Sequence, residues 1–276
     1  MKWKFYSLAF VAGMSILTAC SSDDNNDNDG NGGNGNGNEI ENGTTLKGTI
    51  TSDVTLAAGN TYKLSGEYIV EEGATLHIEE GVKIIAVYDD IADYILVKQG
   101  GKINAVGTPD KPIVMTSEKE EPGAWGGIHI CGRAHTNAEG GKGSSEIGGA
   151  VYGGNDDADN SGTLQYIRLE YTGFAFDEEH EANGISFYGV GNGTIVDHCQ
   201  AYKGSDDGFE FFGGSVNVSN LVAVSCSDDS FDWTEGWNGK GTNLVAYQEA
   251  ESTLGYDCDC LMECDNNGSN NAATPV

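Results

Sequence analysis

The chain has 276 residues, with 43 acidic and 14 basic side chains, and its formal net charge at pH 7 is −29. This length suits one large domain or two small ones. The charge argues against nucleic acid as a partner, because phosphate binding needs a basic surface. It favours cations or neutral ligands, although many exported proteins are acidic only for solubility.

Residues 1–19 predict a signal peptide. Lys2 and Lys4 give a short basic start, and residues 5–17 are almost wholly apolar, a length typical of a signal-peptide core and too short for a bilayer span. The run ends in Leu-Thr-Ala-Cys, which resembles the lipobox of bacterial lipoproteins, whose cysteine is acylated after cleavage in front of it. The resemblance implies a lipid on Cys20 and a membrane anchor in a Gram-negative envelope. A plain secretory signal with a chance cysteine is the alternative.

Residues 20–42 predict a flexible tether. The stretch SSDDNNDNDGNGGNGNGN that follows Cys20 contains no apolar residue and cannot bury a core, and its Gly, Asn and Asp content is typical of a linker. An acidic run directly after the acylated cysteine also resembles the surface-export signal of Bacteroidetes lipoproteins. That resemblance implies an outer-membrane protein facing the cell exterior, with its folded part held away from the lipid.

Residues 43–276 predict one repetitive domain of strands. In its N-terminal half, YIVEEGATLHIEEGVKIIA matches YILVKQGGKINAVGTPDKPIV, with Ile69 on Leu96 at a shift of 27; further along, residues 196–202 match residues 218–224 at a shift of 22. Each unit consists of short alternating apolar runs separated by Gly, Asn, Asp or Pro, which is typical of strands. Repeats of about 22–27 residues predict a parallel β-helix, and a β-sandwich is the alternative.

A second strand template occurs in three successive units, as NGISFYG, DGFEFFG and DSFDWTE, at shifts of 24 and 22. Its alternate positions predict an inward ladder of large side chains: Ile185, Phe187, Phe209, Phe211, Phe231 and Trp233. Each buried ring would remove roughly 150–250 Å² from water. The intervening Ser186, Glu210 and Asp232 are then expected to face solvent. Outward aromatic rings that form a platform for sugars are the alternative.

Two segments, GSDDGFEFFGG and CSDDSFDWTEG, repeat an acid pair followed by a third acid. In a β-helix, equivalent carboxylates of adjacent coils would lie about 5 Å apart, where they repel by about 3 kcal/mol at an effective dielectric constant near 20. A bound Ca²⁺ would compensate, because hard cations take clusters of carboxylate oxygens. The resulting metal-ligand candidates are Asp206, Asp207, Glu210, Asp228, Asp229 and Asp232. Screening by solvent, with Asp206 and Asp228 capping turns, is the alternative.

The loop NDDADNSG is a second calcium candidate. Asp157, Asp159 and Ser161, followed by Gly162, fit the opening of a calcium-binding loop. The twelfth position is Arg168, whereas such loops close with a bidentate glutamate. An acidic loop without a metal is the alternative.

Six cysteines remain after Cys20. They predict disulfides or free thiols rather than zinc, since CDCLMEC lacks the usual C-x-x-C pairs and a fourth ligand. The spacing does not specify which cysteines would pair.

Several segments resemble a group of uncharacterised Bacteroidetes lipoproteins from about residue 46 onward. They are EEGATLHIEEGVKI, GGKINAVGTPDKPIVMTS, GAWGGIHICGRA, YGGNDDADNSGTLQYIRLEYTG and GSDDGFEFFGG. The resemblance implies a right-handed parallel β-helix and no agreed catalytic residues. Members of the group commonly continue past CDNNGSNNAATPV with further coils, so the domain is expected to be truncated at its C-terminus.

The function predicted from these features is non-catalytic binding of an extended ligand such as a glycan at the cell surface, with Ca²⁺ as a candidate cofactor. Tyr202 and Trp237 are the candidates for stacking on sugar rings. A polysaccharide lyase or glycoside hydrolase is the alternative; such enzymes of this fold use Ca²⁺ with a basic residue or a pair of aspartates. Here Gly-His-Gly is absent, and Lys203 is the basic residue nearest the acids in sequence. A structural or adhesin-like spacer is the second alternative.

Overall fold

The computed structural model describes residues 38–89, 91–176, 180–268, 270 and 273. These residues form 22 β-strands, a 3₁₀ turn at Glu139–Gly141 and one short helix, α1, at Glu251–Leu254. The strands are, in chain order, β1 (Asn38–Ile40), β2 (Thr45–Ile50), β3 (Val54–Leu56), β4 (Thr61–Val70), β5 (Thr75–Ile78), β6 (Lys83–Ala86), β7 (Tyr94–Val97), β8 (Lys102–Val106), β9 (Ile113–Ser117), β10 (Ile128–Cys131), β11 (Gly143–Ser144), β12 (Val151–Tyr152), β13 (Gly162–Glu170), β14 (Ile185–Tyr188), β15 (Ile195–Tyr202), β16 (Phe209–Phe212), β17 (Asn217–Ser219), β18 (Val222–Val224), β19 (Phe231–Thr234), β20 (Gly241–Thr242), β21 (Val245–Tyr247) and β22 (Glu263–Cys264). Over these described ranges, no helix is long and apolar enough to cross a bilayer.

Twenty of these strands stack in three parallel ladders, to each of which every coil contributes one strand or half-strand, while β11 and β12 pair antiparallel with each other. Ladder A contains β1, β3, β5, β8, the first halves of β13 and β15, β17 and β20. Ladder B contains the first halves of β2 and β4, β6, β9, the second halves of β13 and β15, β18 and β21. Ladder C contains the second halves of β2 and β4, β7, β10, β14, β16, β19 and β22. The molecule is a right-handed parallel β-helix, which confirms the predicted fold.

The pairing register follows the sequence repeats. Ile69 pairs with Leu96, as the shift of 27 predicts. Val196 pairs with Val218, as the shift of 22 predicts. Repeats aligned in the sequence are therefore neighbours in space, which is the property that distinguishes a β-helix from a sandwich of hairpins.

Large inward side chains of ladder C stack along the helix axis. The rings of Phe187 and Phe211 lie 5.0 Å apart between centroids, and those of Phe209 and Phe231 lie 5.6 Å apart, with the two rings of each pair stacked nearly parallel. All four side chains are at most 2% exposed. The predicted aromatic ladder is confirmed for these residues, and the alternative of an outward sugar platform is wrong for them.

Single residues in the left-handed αL region turn the chain from ladder A to ladder B. These are Tyr166, His198, Asn220 and Asn243, with φ between 51° and 55°. Each of these corner residues leaves the extended conformation, which shifts the alternation of inward and outward side chains by one residue. As a result, Leu164 and Ile167 both point inward although they are three residues apart. Asparagine tolerates αL better than most residues. It also links the coils here, since the Asn243 amide donates to Asn220 Oδ1 (3.0 Å) and the Asn220 amide donates to Asp197 Oδ1 (2.7 Å).

Residues 132–161, inserted between β10 and β13, cover part of the outer face of ladder C. They form a second apolar cluster with outward side chains of that ladder, consisting of Ile69, Tyr94, Leu96, Cys131, Ile147, Ala150, Tyr152, Ala182, Tyr188 and Phe212. The expectation that Ser186 faces solvent is wrong: it is fully buried. Glu210 and Asp232 are only partly exposed. The alternating sequence pattern correctly places these side chains on the outer face of ladder C. It does not predict which other residues pack over that face.

The first coil begins inside the segment predicted as tether. Strand β1 (Asn38–Ile40) pairs in register with β3, so these residues belong to the β-helix rather than to a linker that ends at residue 42. The predicted signal peptide, Cys20 and residues 20–37 of the tether lie outside the described residues.

Candidate functional site

A pocket of about 210 Å³ opens on the outer face of ladder C. We call it the acid pocket, because nine of its ten lining residues are carboxylates. The lining residues are Glu146, Glu181, Asn183, Asp206, Asp207, Glu210, Asp228, Asp229, Asp232 and Glu263. All six metal-ligand candidates from the two repeated acid segments are therefore brought together. The described lining contains no Lys, Arg or His side chain, although His180 lies near enough to Glu146 for its charge to act on that carboxyl group.

One wall of the acid pocket is a chain of hydrogen bonds from backbone to side chain. Asn183, Asp207 and Asp229 occupy equivalent positions in three successive coils. Asn183 Oδ1 accepts from the N–H of Asp207 (3.1 Å), Asp207 Oδ1 accepts from the N–H of Asp229 (2.9 Å), and Asp229 Oδ1 accepts from the N–H of Cys260 (2.8 Å). Each side chain thus caps the corner of the next coil, which is the turn chemistry that the sequence left as an alternative to metal binding.

Asp206 and Asp228, which the sequence predicts as the capping acids, do not make these bonds. The N–H groups of Asp207 and Asp229 donate instead to Asn183 and Asp207 of the preceding coil. Asp206 is 8% exposed, and it accepts from the N–H of Asp207, which also donates to Asn183. Its carboxyl group lines the acid pocket.

The floor of the acid pocket is a row of outward carboxylates on ladder C. Glu210 pairs in register with Asp232, as predicted, and Asp232 pairs with Glu263 on the next coil. The amide of Asn183 donates to Glu210 Oε2. Asp232 Oδ1 is buried and has no hydrogen-bond partner among the described residues. A buried oxygen without a partner is costly unless something else satisfies it.

Carboxylate oxygens converge in three overlapping triads. In each triad, one oxygen per residue lies within 4.8 Å of the other two; the triads are Asp206–Asp207–Asp228, Asp207–Glu210–Asp232 and Asp229–Asp232–Glu263. An all-oxygen, all-anionic donor set suits a hard divalent cation such as Ca²⁺ or Mg²⁺ and not zinc, which prefers nitrogen and sulfur donors. Asp207 and Asp232 each belong to two triads, so they are central to any cation that these residues would hold.

Burial and crowding raise the pKa of these acids. Desolvation, together with the neighbouring carboxylates, raises the pKa of Asp206 to about 8 and holds the pKa values of Asp207 and Glu210 well above their usual range. Desolvation also raises the pKa of Asp232 to about 6. Proton uptake therefore relieves part of the repulsion that the sequence predicts, and a cation that enters the pocket must compete with those protons.

Four lining residues were not predicted. Asn183 had a signal, because NGISFYG aligns with DGFEFFG and places Asn183 on Asp207. Glu263 pairs with Asp232, but 31 residues separate them, so the repeat of 22 residues does not reach it. Glu146 and Glu181 come from the insertion and from a loop before β14, where no repeat indicates their position.

The two aspartates of the second calcium candidate, Asp157 and Asp159, contact residues at the start of the insertion. Asp157 Oδ1 lies 2.7 Å from His135 Nδ1, and Asp159 Oδ2 accepts from the N–H of Arg133 (3.1 Å). Neither residue belongs to a carboxylate triad among the described residues. These contacts tie the loop to the start of the insertion, and calcium binding at Asp157 and Asp159 stays a prediction.

The two aromatic candidates lie outside the acid pocket. Tyr202 is on ladder B, with the Arg168 guanidinium 4.9 Å and the Lys203 ammonium 5.3 Å from its ring centroid. Trp237 is partly buried and stacks on Phe211 at 4.6 Å, where it covers the end of the aromatic ladder. Their role in ligand binding stays a prediction, and for Trp237 the structure gives a packing role in addition.

The six cysteines of the described residues carry free thiols. Cys131, Cys199 and Cys226 are buried, whereas Cys258, Cys260 and Cys264 are partly or fully exposed. Desolvation raises the pKa of each of the three buried thiols to about 12, which keeps them protonated and unreactive.

Comparison with known proteins agrees with this architecture. The sequence profile of the family described as "pectate-lyase like beta helix domain" matches residues 48–276, which include the insertion and every residue of the acid pocket. No curated protein and no solved structure matches the chain. Because the match covers most of the sequence, the protein belongs to the pectate-lyase-like β-helix domain family.

Proposed function

We propose that the protein binds a polysaccharide through a divalent cation held in the acid pocket, and that it does so without cleaving the chain. The observation that carries the proposal is the convergence of nine carboxylates in one pocket without a cationic side chain. One of them supports a ligand rather than simple crowding, because Asp232 Oδ1 is buried and has no hydrogen-bond partner among the described residues. Calcium is the expected ion, since it accepts six to eight oxygen ligands in flexible geometry.

Family membership supports a polysaccharide as the ligand. The negative charge of the acid pocket indicates which class of polysaccharide would need a cation in order to bind. A polyuronate brings its own carboxylates and would be repelled by the acid pocket alone. A cation between the two sets of carboxylates removes that repulsion and makes binding cation-dependent. A neutral polysaccharide would need no such bridge, so dependence on the cation distinguishes the two classes of ligand.

The absence of a basic group from the described lining supports binding rather than elimination. Besides the cation, a lyase of this fold uses a basic residue, which would take the proton removed next to the substrate carboxylate. Lys203, the basic residue nearest in sequence, is paired with Glu249 (3.0 Å) and stands outside the pocket.

Calcium binding is tested by unfolding the purified chain in urea with excess CaCl₂ and then with EGTA. An ion at 100 times its dissociation constant stabilises the folded state by about 2.7 kcal/mol. Asp232→Asn should abolish this gain because Asp232 belongs to two triads, whereas Asp110→Asn, which removes an exposed charge outside the pocket, should retain it. Equal midpoints in CaCl₂ and EGTA would remove the cation from the proposal.

Polysaccharide binding is tested with immobilised polygalacturonate. Retention in CaCl₂ and release by EGTA, with neither unsaturated nor new reducing ends formed, are the expected results. A neutral glucan serves as the control for charge and should not be retained. Failure to bind polygalacturonate under both conditions would overturn the proposal.

A glycoside hydrolase is the second candidate, and the pKa of Asp206 favours it. A hydrolase needs one protonated and one ionised carboxyl group near the glycosidic bond. Asp206, with its pKa raised to about 8, is protonated at neutral pH, and the exposed Asp228 lies in the same triad. This function requires that new reducing ends appear, that they decrease above pH 8, and that Asp206→Asn eliminates them.

We also propose that a lipid on Cys20 anchors the protein to the outer membrane with the β-helix facing the cell exterior. The lipobox-like Leu-Thr-Ala-Cys sequence and the acidic run after it support this location. Cys20→Ser should abolish acylation and leave an unprocessed precursor. An unchanged mass of the mature protein in that variant would refute the anchor.

A further inference from the structure

We infer that the acid pocket holds two divalent cations, one coil apart and bridged by Asp232, an inference that rests on the cation binding proposed above. It follows from a repetition inside the pocket. Two of the three carboxylate triads are the same arrangement of side chains, displaced by one coil of the β-helix. We call Asp207–Glu210–Asp232 the first site and Asp229–Asp232–Glu263 the second site.

The repetition is seen when the two sites are matched residue by residue. Asp229 is the corner equivalent of Asp207, since each accepts from the N–H at the corner of the following coil. On the floor, Glu210, Asp232 and Glu263 pair in register on three successive strands. Moving the first site forward by one coil therefore gives the second site. In both sites, one oxygen per residue lies within 4.8 Å of the other two.

The same three positions on the preceding coil form an arrangement that needs no ion. They are occupied by Asn183, Ser186 and Glu210. The Asn183 amide donates to Ser186 Oγ (3.0 Å) and to Glu210, so hydrogen bonds join the three side chains. In the first and second sites a carboxylate replaces that amide, and an ionised carboxylate only accepts hydrogen bonds. A cation in each site would take the place of the missing donor.

Asp232 supplies the observation that points to ions in both sites. Its Oδ1 is buried and has no hydrogen-bond partner among the described residues, and such an oxygen is costly unless something else satisfies it. Asp232 is also the residue that the two sites share, and its two oxygens allow one ligand for each ion. Equivalent positions on adjacent coils are roughly 4.8 Å apart, somewhat wider than the metal pairs of two-metal sites, which are about 3.5–4 Å apart.

The third triad extends the first site rather than forming another. Asp206 and Asp228 converge on Asp207, which already belongs to the first site. Over the described part of the chain, this arrangement does not recur one coil further on. Because calcium takes six to eight oxygen ligands, Asp206 and Asp228 would complete the coordination of the first ion. We therefore expect two ions and not three.

The test is the number of calcium ions that the purified chain retains in equilibrium dialysis, which should be two for wild type. Glu210→Gln removes a charged ligand from the first site alone, and Glu263→Gln removes one from the second site alone. Each should reduce the number from two to one at a free calcium concentration about tenfold above the wild-type dissociation constant. Glu181→Gln is the control and should retain both ions, because Glu181 lines the pocket but belongs to no triad of the described residues.

Asp229→Asn is a second variant of the second site, since it keeps the acceptor for the N–H of Cys260, and it should also retain one ion. Urea unfolding in EGTA checks that each variant is folded. One or three ions retained by wild type, or two that the variants of either site leave unchanged, would overturn the two-ion arrangement and leave cation binding intact. No retained ion would overturn the proposed function itself.

Discussion

Asp207 combines a structural and an electrostatic role, and two substitutions separate them. Its Oδ1 accepts from the N–H of Asp229, a residue that is 2% exposed, while its charge faces the other carboxylates of the acid pocket. Asp207→Asn retains the acceptor and removes the charge. Asp207→Ala removes both. The equivalent position of the preceding coil is already an asparagine, Asn183, whose Oδ1 makes the same bond at 3.1 Å.

The two variants should differ in stability by about 1–3 kcal/mol, the cost of leaving a buried N–H without an acceptor. At pH 6 in EGTA, Asp207→Asn should change the free energy of unfolding by no more than about 0.5 kcal/mol, because burial and the adjacent Asp206 hold the pKa of Asp207 well above its usual range and so favour the neutral form, which asparagine resembles. The folded chain holds this proton more tightly than the unfolded chain, which releases it near pH 4. Wild-type stability therefore falls as the pH rises, and the asparagine variant should gain stability relative to wild type between pH 6 and pH 9.

Urea unfolding followed by tryptophan fluorescence, in EGTA at pH 6 and pH 9, measures both effects. Asp228→Asn and Asp228→Ala form the matched control pair, since Asp228 lines the same pocket but is exposed and caps no corner. The two control variants should agree with each other within about 0.5 kcal/mol. If Asp207→Asn lost as much stability as Asp207→Ala, the capping role of this side chain would be refuted.

Three further predictions concern the fold. His129 is fully buried, and desolvation lowers its pKa from 6.5 to about 4. Between these pH values the imidazole is protonated in the unfolded chain and neutral in the folded chain. The free energy of unfolding should therefore fall as the pH decreases from 6.5 to 4, by up to about 3 kcal/mol. His129→Leu, which copies Leu96 of the preceding coil, should reduce this pH dependence of the free energy of unfolding in urea. A dependence as steep as in wild type would exclude His129 as its source. Asn220→Gly should be more stable than Asn220→Ala by about 1–2 kcal/mol in the same assay, since φ is 55° and only alanine is strained there, and equal stabilities would contradict the corner conformation. Phe209→Ala should lose about 3–5 kcal/mol, whereas Tyr247→Ala, which truncates an exposed ring on the outer face of ladder B, should lose less than about 0.5 kcal/mol; a small loss at Phe209 would argue against the stacked core.

The fold was predictable because a parallel β-helix repeats its environment. Each inward position has the same neighbours above and below, so Ile185, Phe209 and Phe231 face the same requirement and appear at the same point of each repeat. Stacking also fixes the register, which is why aligning the repeats of the sequence gave the observed pairs. A packing requirement that recurs in every coil therefore appears several times in the sequence.

The acid pocket was predictable only in part for the same reason. The six acids of the repeated segments follow the period and were correctly placed side by side. The packing of the insertion, residues 132–161, on ladder C was not predictable, because the insertion occurs only once. Its contacts, such as that of Tyr152 with Tyr188, join positions that no sequence repeat relates.

The use of aspartate at the corner argues that charge in the acid pocket serves a ligand. Asn183 shows that an amide oxygen satisfies the N–H of the next coil, so the corner itself requires an acceptor and not a charge. Asp207 and Asp229 make the same bond in the following two coils, yet as carboxylates they add repulsion, which contributes to the raised pKa of Asp207. Asparagine in all three coils would keep every corner bond and avoid this cost. Both carboxylates line the acid pocket, which is where an incoming cation would meet them.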